Sequence, residues 1–338
     1  MSHAFAAERY DRMTYRRCGA SGLLLPAVSL GGWQAIGSYR DDEIARKIFH
    51  TAFDHGITHF DFANNYGTPA GASESLFGRL LKDMPRHELV ISSKAGFRMW
   101  PGPYGEWGSR KYLIQSCEAS LKRLQIDHVD IFYSHRLDPD TPLEETMGAL
   151  DTLVKQGKAL YAGVSNIGDP HLTKAIGITS APGHTRLTIH QPYYHMLARG
   201  IETEVLPAAA KAGLGVIAFC PLGQGLLTDR YLNGIPPDSR AAHADNGGWL
   251  RSTLTPENID KAKKLNAIAQ RRGQSLAAMS LAWLLKDPRV TSVLIGASSP
   301  EQVLKNLECL KSPAFSAEDL AAIEAISPAP AAAKAAGA

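Results

Sequence analysis

The chain has 338 residues, 44% hydrophobic and 20% charged, which is an ordinary globular composition and excludes a largely disordered chain. Its formal net charge of +3 is too balanced to indicate nucleic acid as the main partner. No apolar run approaches the roughly 18 residues of a membrane-spanning helix, and residues 1–12 lack the apolar region of a signal peptide. We therefore expect neither a nucleic-acid nor a membrane partner.

Short apolar runs, rich in β-branched and aromatic residues, alternate with amphipathic stretches along the chain. Most of these runs are apolar without strict alternation, which is typical of strands covered on both faces. Helices are predicted between them by apolar positions three or four residues apart and by Asp41 or Asp42, Ser73, Ser109 and Thr141-Pro142 at helix starts. The predicted strands are 28–30, 57–62, 89–93, 129–133, 160–164, 187–190, 215–219 and 292–295, and further helices are predicted at 202–212, 256–272, 275–286 and 300–310.

Eight strands alternating with helices predict an α/β fold with a parallel sheet, and eight such units favour a closed (β/α)8 TIM barrel. An open doubly wound sheet stays possible, although Gly31-Gly32-Trp33 after the first strand does not match its GxGxxG signature. Residues 14–17 and 23–25 predict an N-terminal β-hairpin that caps the bottom of the barrel. We expect one domain over residues 1–326, with C-terminal extra helices, and a flexible Ala/Pro-rich tail over 327–338.

The four cysteines, Cys18, Cys117, Cys220 and Cys309, are far apart and form no CxxC pair. This spacing disfavours a disulfide framework and excludes a zinc knuckle, so we expect buried or half-buried thiols and a reducing, cytoplasmic setting.

Chemistry in a barrel belongs at the C-terminal ends of its strands. Asp61 lies at the end of the second predicted strand and Tyr66 follows it, while Lys94 follows the third strand and His135 the fourth. An ammonium near a phenol lowers its pKa, a carboxylate holds the ammonium, and an imidazole orients a carbonyl oxygen by a hydrogen bond. These four residues therefore predict proton transfer to a carbonyl, and a bound nicotinamide would supply the hydride.

The same motifs, in order, resemble those of the aldo-keto reductase superfamily over residues 12–326. Segments 99–105, 108–113 and 226–240 resemble its bacterial L-glyceraldehyde 3-phosphate reductase group, which is related to potassium-channel β-subunits. The resemblance implies that Tyr66 is the general acid, that Lys94 and Asp61 tune it, and that His135 orients the substrate. The motifs are Asp61 to Gly67, Ser93-Lys94, Ser134-His135, Ser165-Asn166, Gln191 and Phe219-Cys220-Pro221-Leu222.

The resemblance also implies a cofactor site, for which we expect NADPH because its 2′-phosphate needs positive charge. Arg230, Arg240 and Lys305 are candidates for that charge, and Ser298 lies near a predicted helix start that favours phosphate. The implied contacts run from the nicotinamide end through the pyrophosphate to the adenosine: Trp33, Ser165, Asn166, Gln191, Phe219, Pro221, Leu222, Gly225, Leu226, Arg230, Arg240, Gly296, Ser298, Gln302 and Asn306.

The substrate pocket is expected between Trp33 and the long loop 96–107, which carries Trp100 and Trp107. By resemblance the substrate is a small aldehyde such as glyceraldehyde 3-phosphate or methylglyoxal, and a homo-oligomer (a tetramer or larger) is expected. The sequence leaves open which of four arginines contacts a substrate phosphate: Arg98, Arg110, Arg136 or Arg199.

Two other functions are compatible with parts of the sequence. A metal hydrolase would use His59 and Asp61 on one strand face, near His55, but only His135 and His190 could add ligands from other strands, so no metal is expected. A redox-sensing regulatory subunit that binds the cofactor with slow or vestigial turnover is the alternative to an active enzyme.

Overall fold

The computed structural model describes residues 3–33, 35–39, 41–237, 239–242 and 244–331. Within these ranges the strands are β1 Tyr15–Arg17, β2 Leu24–Pro26, β3 Val28–Gly31, β4 His59–Asp61, β5 Val90–Ala95, β6 Val129–Ser134, β7 Ala159–Ser165, β8 Leu187–Gln191, β9 Gly215–Phe219 and β10 Val290–Ile295. The α-helices are α1 Asp42–Asp54, α2 Ala72–Leu80, α3 Arg110–Leu124, α4 Leu143–Lys155, α5 His171–Thr179, α6 Val205–Ala212, α7 Ala244–Thr253, α8 Pro256–Arg271, α9 Leu276–Leu285, α10 Pro300–Leu307 and α11 Ala317–Ile326.

Strands β3 to β10 form a closed parallel barrel. Its closure is made by β10, in which Leu294 pairs with Phe219 of β9 on one side and with Ser29 of β3 on the other. The TIM barrel is thereby confirmed and the open sheet excluded. Because all eight strands are parallel, their carboxyl ends meet at a single rim, where the polar residues that follow them are collected.

The N-terminal hairpin closes the opposite end of the barrel, as predicted. Strands β1 and β2 pair antiparallel, and Cys18 and Leu25 are fully buried. A Cβ on Gly215 would lie 2.2 Å from Cys18 Sγ, so the hairpin can approach this closely only over a glycine. The hairpin packs on side chains of the barrel interior, namely Ile131, Tyr133, Ile189, Ile217 and Leu294.

Several helix starts follow the predicted caps. The Asp41 carboxylate accepts the Glu43 N–H at 2.7 Å, and the Ser109 hydroxyl accepts the Tyr112 N–H at 3.3 Å. Helix α4 begins one residue later than expected, with Pro142 as its cap. Helix α6 begins only at Val205, because Glu204 has the non-helical angles φ −127° and ψ −56°.

Two helices, α5 and α7, are not predicted by the sequence pattern, and α11 was expected only as one of the C-terminal extra helices, without bounds. Helix α5 contains Thr173, Ile176 and Ile178 as well as Gly177, which are weak helix formers, and it is held by packing instead. Helix α7 contains two consecutive glycines, and α11 begins with a capping box at Ser316 that the sequence already showed. No helix among the described residues is long and apolar enough to cross a membrane.

The four cysteines are free thiols, three buried and Cys220 half-buried, as predicted. At the C-terminus, Ser327 is buried and its hydroxyl donates to the Met196 carbonyl at 2.6 Å. Residues 332–338 of the predicted flexible tail lie outside the described residues, so its mobility stays a prediction.

Candidate active site

A fully buried ion pair lies below the C-terminal rim of the barrel. Lys94 Nζ is 2.5 Å from Asp61 Oδ2 and donates a second hydrogen bond to the Phe62 carbonyl at 2.6 Å. The other carboxylate oxygen of Asp61 accepts from Ser92 Oγ at 2.6 Å and from Gln191 Nε2 at 3.2 Å. Both charges are thus compensated and hydrogen-bonded, which is the condition for burying an ion pair without a large penalty.

Tyr66 lies above this pair on the loop after β4. The Lys94 ammonium is 5.0 Å from the centre of the Tyr66 ring, and the rings of Tyr66 and His135 are 5.9 Å apart with edge-to-face geometry. The loop is attached to β5 by the Asn64 N–H, which donates to the Lys94 carbonyl at 2.9 Å. The four predicted catalytic residues are therefore brought together at one point of the rim.

The pKa of Tyr66 moves in the direction opposite to the one expected from an adjacent ammonium. Burial is the main cause that raises the pKa of Tyr66 well above that of an ordinary phenol, followed by the negative charge of Asp61 and then by the neighbouring Cys220 thiol. The ammonium of Lys94 donates its hydrogen bonds to Asp61 and the Phe62 carbonyl and none to the phenol. These partners therefore offset most of its positive charge. At neutral pH Tyr66 is therefore a protonated phenol.

His135 is a neutral imidazole. Burial, followed by the positive charges of Lys94 and Arg136, lowers the pKa of His135 well below its ordinary value. The Phe97 ring contacts it edge-to-face at 4.6 Å between ring centres. Its Nδ1 is buried and has no hydrogen-bond partner among the residues that the structure describes. A neutral imidazole offers one N–H donor without adding charge to the site.

Three of the expected nicotinamide contacts lie beside the ion pair, on β7 and β8. Ser165 Oγ donates to the Gln191 carbonyl at 2.8 Å, and Asn166 Nδ2 donates to the His135 carbonyl at 3.1 Å. Asn166 holds a left-handed backbone conformation, φ 52°, in which its side chain reaches back to His135. Because Gln191 also donates to Asp61, these positions are joined to the predicted catalytic residues by hydrogen bonds.

The remaining expected cofactor contacts line the rim beyond β9 and β10. Phe219 and Leu222 are half-buried, Pro221 and Leu226 are buried, and Gly225 has φ 113°. Arg240 donates to the Gln224 carbonyl at 2.9 Å and lies 6.0 Å from the ring of Trp33, whereas Arg230 is exposed. Beyond β10, Gly296 is exposed, and the backbone N–H and hydroxyl of Ser298 both donate to Gln302 Oε1.

Two side-chain amides along this path are buried with unpaired donors. Asn306 Nδ2, on a residue 3% exposed, and Gln224 Nε2 have no hydrogen-bond partner within the described part of the chain. Buried amide donors are normally paired, and a bound ligand would supply the acceptors that these two lack. The phosphate, sugar and base atoms of a dinucleotide offer such acceptors, and the residues present fit that group.

Residues 27–328 match the sequence model of the family described as the Aldo/keto reductase family. The chain belongs to that family. It is 51% identical over 323 residues to the L-glyceraldehyde 3-phosphate reductases of Escherichia coli O157:H7 and of strain K12, which covers 94% of this chain and 93% of each relative. It is also 35% identical over 302 residues to a probable voltage-gated potassium channel subunit beta of Arabidopsis thaliana, covering 88% and 91%. The protein is therefore an oxidoreductase, and the resemblance read from its motifs is confirmed.

The three tryptophans expected in the substrate pocket of this aldo/keto reductase lie in different settings. Trp33 is half-buried, 6.4 Å from Tyr66 between ring centres. Trp107 lies under the guanidinium of Arg136, which is 3.6 Å from the ring centre. Trp100 is 39% exposed and packs against Tyr112, so the described contacts place only Trp33 and Trp107 next to catalytic residues or their neighbours.

Of the four candidate arginines of this aldo/keto reductase, three are committed to internal partners. Arg136 pairs with Glu106 at 2.8 Å, and Arg199 pairs with Glu202 and Glu324. Arg110 donates to the Gly148 carbonyl and to Thr152 on α4. Arg98 is exposed on the loop after β5 and is the remaining candidate for a substrate phosphate.

Two aromatic residues beside Phe219 and Trp33, at the C-terminal rim of the barrel, were not predicted as site residues from the sequence. Tyr193 lies 5.5 Å from Phe219 and 5.6 Å from Trp249, and Trp249 lies 5.8 Å from Trp33, all between ring centres. Tyr193 was detectable, because the period of two from Gln191 puts both on one side of the chain. Trp249 was not, because it belongs to α7, which the sequence did not predict.

The histidines of the metal alternative have other partners. His59 contacts the hydroxyls of Ser29 and Ser92 through its two ring nitrogens, and His55 Nδ1 contacts the Thr51 carbonyl. Within the described ranges, no group of three or more His, Cys, Asp or Glu side chains is placed to hold a metal ion.

Proposed function

We propose that this protein is an NADPH-dependent reductase of small aldehydes in which Tyr66 is the general acid. The observation that supports this most directly is the convergence of Tyr66, Lys94, Asp61 and His135 at one point of the rim, next to the positions expected to hold a nicotinamide. The 51% identity to two L-glyceraldehyde 3-phosphate reductases favours glyceraldehyde 3-phosphate, with methylglyoxal as a second small aldehyde.

The bound cofactor would supply a hydride for the carbonyl carbon. The chain's own residues act on the oxygen: the neutral His135 donates an N–H to it, and Tyr66 transfers its proton as the oxygen becomes an alkoxide. An alkoxide is a far stronger base than a phenolate, so a phenol with a raised pKa still donates readily. The Lys94 ammonium, 5.0 Å from the ring centre, stabilises the phenolate that remains, and Asp61 holds that ammonium in place.

The cofactor would be held along the rim from the catalytic residues to α10. Ser165, Asn166 and Gln191 are proposed to bind the carboxamide, and Phe219 to stack on the ring. The loop from Pro221 to Leu226 and Arg240 would receive the pyrophosphate. Gly296, Ser298, Gln302 and Asn306 would contact the adenosine, with Arg230 and Trp33 bordering the path.

The proposed preference for NADPH rests on cationic side chains near the adenosine end. Arg240 is held at Gln224 and near Trp33, on the nicotinamide side. Lys305 is exposed on α10, directly before the buried Asn306. We therefore assign the 2′-phosphate to Lys305 in preference to Arg240.

The test is an NADPH-oxidation assay over glyceraldehyde 3-phosphate, methylglyoxal and aromatic aldehydes, repeated with NADH. We expect the highest kcat/KM for the phosphorylated aldehyde and for NADPH. Equal or better use of NADH would reject the cofactor assignment. Tight NADPH binding with no turnover of any aldehyde would reject the enzyme and favour the regulatory subunit.

A further inference from the structure

A chain of hydrogen bonds crosses the barrel interior and ends on the catalytic ion pair. Its members come from four strands and are all 0% exposed. The successive heavy-atom distances are 2.7 Å from Ser292 Oγ to Ser29 Oγ, 2.9 Å to His59 Nδ1, 3.0 Å from His59 Nε2 to Ser92 Oγ, and 2.6 Å to Asp61 Oδ1.

The chemistry of these groups sets the direction of every bond. A carboxylate only accepts hydrogen bonds, so the single hydroxyl hydrogen of Ser92 must be donated to Asp61. The Ser92 oxygen then accepts a hydrogen bond from His59 Nε2–H. Burial lowers the pKa of His59 to about 4, so the imidazole is neutral at pH 7 and its Nδ1 accepts the Ser29 hydrogen. Ser292 is consequently the donor to Ser29, and the Ala27 carbonyl, 3.3 Å from the same hydroxyl, competes for its single hydrogen. The hydrogens of the other three bonds all point toward Asp61.

We propose that His59 is a positioning residue of the reductase: acting through Ser92, it holds the Asp61 carboxylate so that Lys94 stays beneath Tyr66. This inference rests on the proposed function of those three residues. Each oxygen of Asp61 has its own task, because Oδ1 accepts from Ser92 and Gln191 while Oδ2 faces Lys94. A donor that is itself hydrogen-bonded is more strongly polarised, so the neutral histidine strengthens the Ser92 bond to the carboxylate.

Other ionisable groups also act on this cluster and must be kept unchanged in any test. Asp61 and Lys94 act on His59, Glu74 acts on Lys94, and Cys220 acts on Tyr66. Tyr133 faces Asp61, and Arg136 lies against His135. None of these groups is altered by substituting the three serines of the hydrogen-bond chain.

Three matched substitutions test the proposal: Ser92→Ala, Ser29→Ala and Ser292→Ala. Each removes one hydroxyl from an equally buried position. If the hydroxyls had a purely structural role, the three variants would have lower melting temperatures, but their kcat values would not depend on the distance of the serine from Asp61. We expect kcat to fall about tenfold for Ser92→Ala, where a bond to a charged group is lost, and about threefold for Ser29→Ala. Ser292→Ala should be near wild type, and the pH–rate profile should shift in the same order. Equal effects of the three, or an unchanged profile in Ser92→Ala, would overturn the proposal.

Two substitutions of His59 separate its hydrogen bonds from its volume. His59→Gln keeps one donor and one acceptor, whereas His59→Leu leaves the hydroxyls of Ser29 and Ser92 without the imidazole. We expect His59→Gln to recover part of kcat relative to His59→Leu with KM unchanged. If the glutamine variant had no higher kcat than the leucine variant at equal melting temperature, the proposed role of His59 would be overturned.

A readout without cofactor or substrate separates this proposal from the proposed function. Nitrogen-15 NMR of the His59 ring should show a neutral imidazole protonated at Nε2, and a ring protonated at Nδ1 would overturn the proposal. The ammonium signal of Lys94, assigned with Lys94→Met, should change in Ser92→Ala and not in Ser292→Ala. An unchanged Lys94 signal in Ser92→Ala would overturn the proposal whether or not the wild-type protein reduces an aldehyde. A wild-type protein that reduced no aldehyde would overturn only the proposed function.

Discussion

The half of the rim that we propose for catalysis, on β4 to β6 (the catalytic half), and the half that we propose for the cofactor, beyond β9 and β10 (the cofactor half), are built differently. Asp61 and Lys94 are fully buried, His135 is 6% exposed, and Asp61 and Lys94 have their hydrogen bonds satisfied within the chain. In the cofactor half Phe219 is half-buried, Gly296 is exposed and the Asn306 amide is unpaired. The Asp61–Lys94 pair of the first half is complete without a ligand, and among its four proposed catalytic residues only Nδ1 of His135 is left buried without a partner in the described part of the chain, whereas the second half has amide donors along the cofactor path that a ligand would pair.

This difference has a physical reason. Stabilising charge in a transition state requires dipoles that are already fixed, since reorienting them would cost part of the gain. Binding, by contrast, is strengthened by groups that find their partner only in the complex, because a buried donor left unpaired destabilises the free protein. Substitutions in the two halves should therefore change different quantities.

The largest effect is expected from Tyr66→Phe in the catalytic half. Loss of the only proton that Tyr66 can transfer should lower kcat at least about 100-fold, the usual scale for a general acid. The Kd for NADPH, measured by fluorescence quenching, should change less than about threefold, because no expected cofactor contact is removed. Near-normal turnover would show that Tyr66 is not the acid.

Lys94→Met should damage both activity and stability. It leaves the Asp61 carboxylate buried without its partner, which should lower the free energy of unfolding by about 3–5 kcal/mol. Losing the ammonium also raises the pKa of Tyr66 further, so the pH–rate profile should move; an unchanged profile would contradict this role. The matched control is Asp61→Asn with Lys94→Met, which should recover stability in denaturant unfolding but not activity.

In the cofactor half, Asn306→Leu should change binding and spare the chemistry. Removing an amide that pairs only in the complex should weaken NADPH binding about tenfold. Its effect on kcat at saturating cofactor should be small, and the protein should not be less stable, because the amide is unpaired without ligand. A large fall in kcat with Kd unchanged would show that the two halves are not separable in this way.

The smallest effect concerns a buried imidazole that belongs to neither half. Neither ring nitrogen of His190 has a hydrogen-bond partner among the described residues, and burial lowers its pKa to about 3. The unfolded chain, with an ordinary histidine pKa, therefore binds more protons below pH 6.5, and stability falls as the pH falls. This group should cost about 1 kcal/mol of unfolding free energy between pH 7 and pH 5.5.

His190→Leu should flatten that part of the pH dependence in urea unfolding, while His171→Gln on the exposed face of α5 should leave it unchanged. If both variants keep the wild-type slope, the acid sensitivity arises elsewhere in the protein.

Most of the barrel, and the meeting of the proposed catalytic residues at one rim, were predictable from the sequence. Strand runs and helix caps are local patterns. Asp61, Lys94 and His135 lie at or just beyond the ends of such runs, so the topology alone brings them to one rim. Helices α5 and α7 were not predictable, because glycine and β-branched residues oppose the helix locally and only packing makes it form.

By itself, the sequence determined the period of each element and which polar residues end each strand. Only the tertiary structure decided the partners of those residues. The direction of the Tyr66 pKa, the ion pairs of Arg136 with Glu106 and of Arg199 with Glu324, and the hydrogen-bond chain through His59 all depend on contacts between distant segments. Ser29 and Ser292 are 263 residues apart in the chain and meet only because the barrel closes. Burial of these side chains and closure of the barrel set the local dielectric and decide which hydrogen-bond donors lie within reach. Neither is encoded in a local sequence pattern.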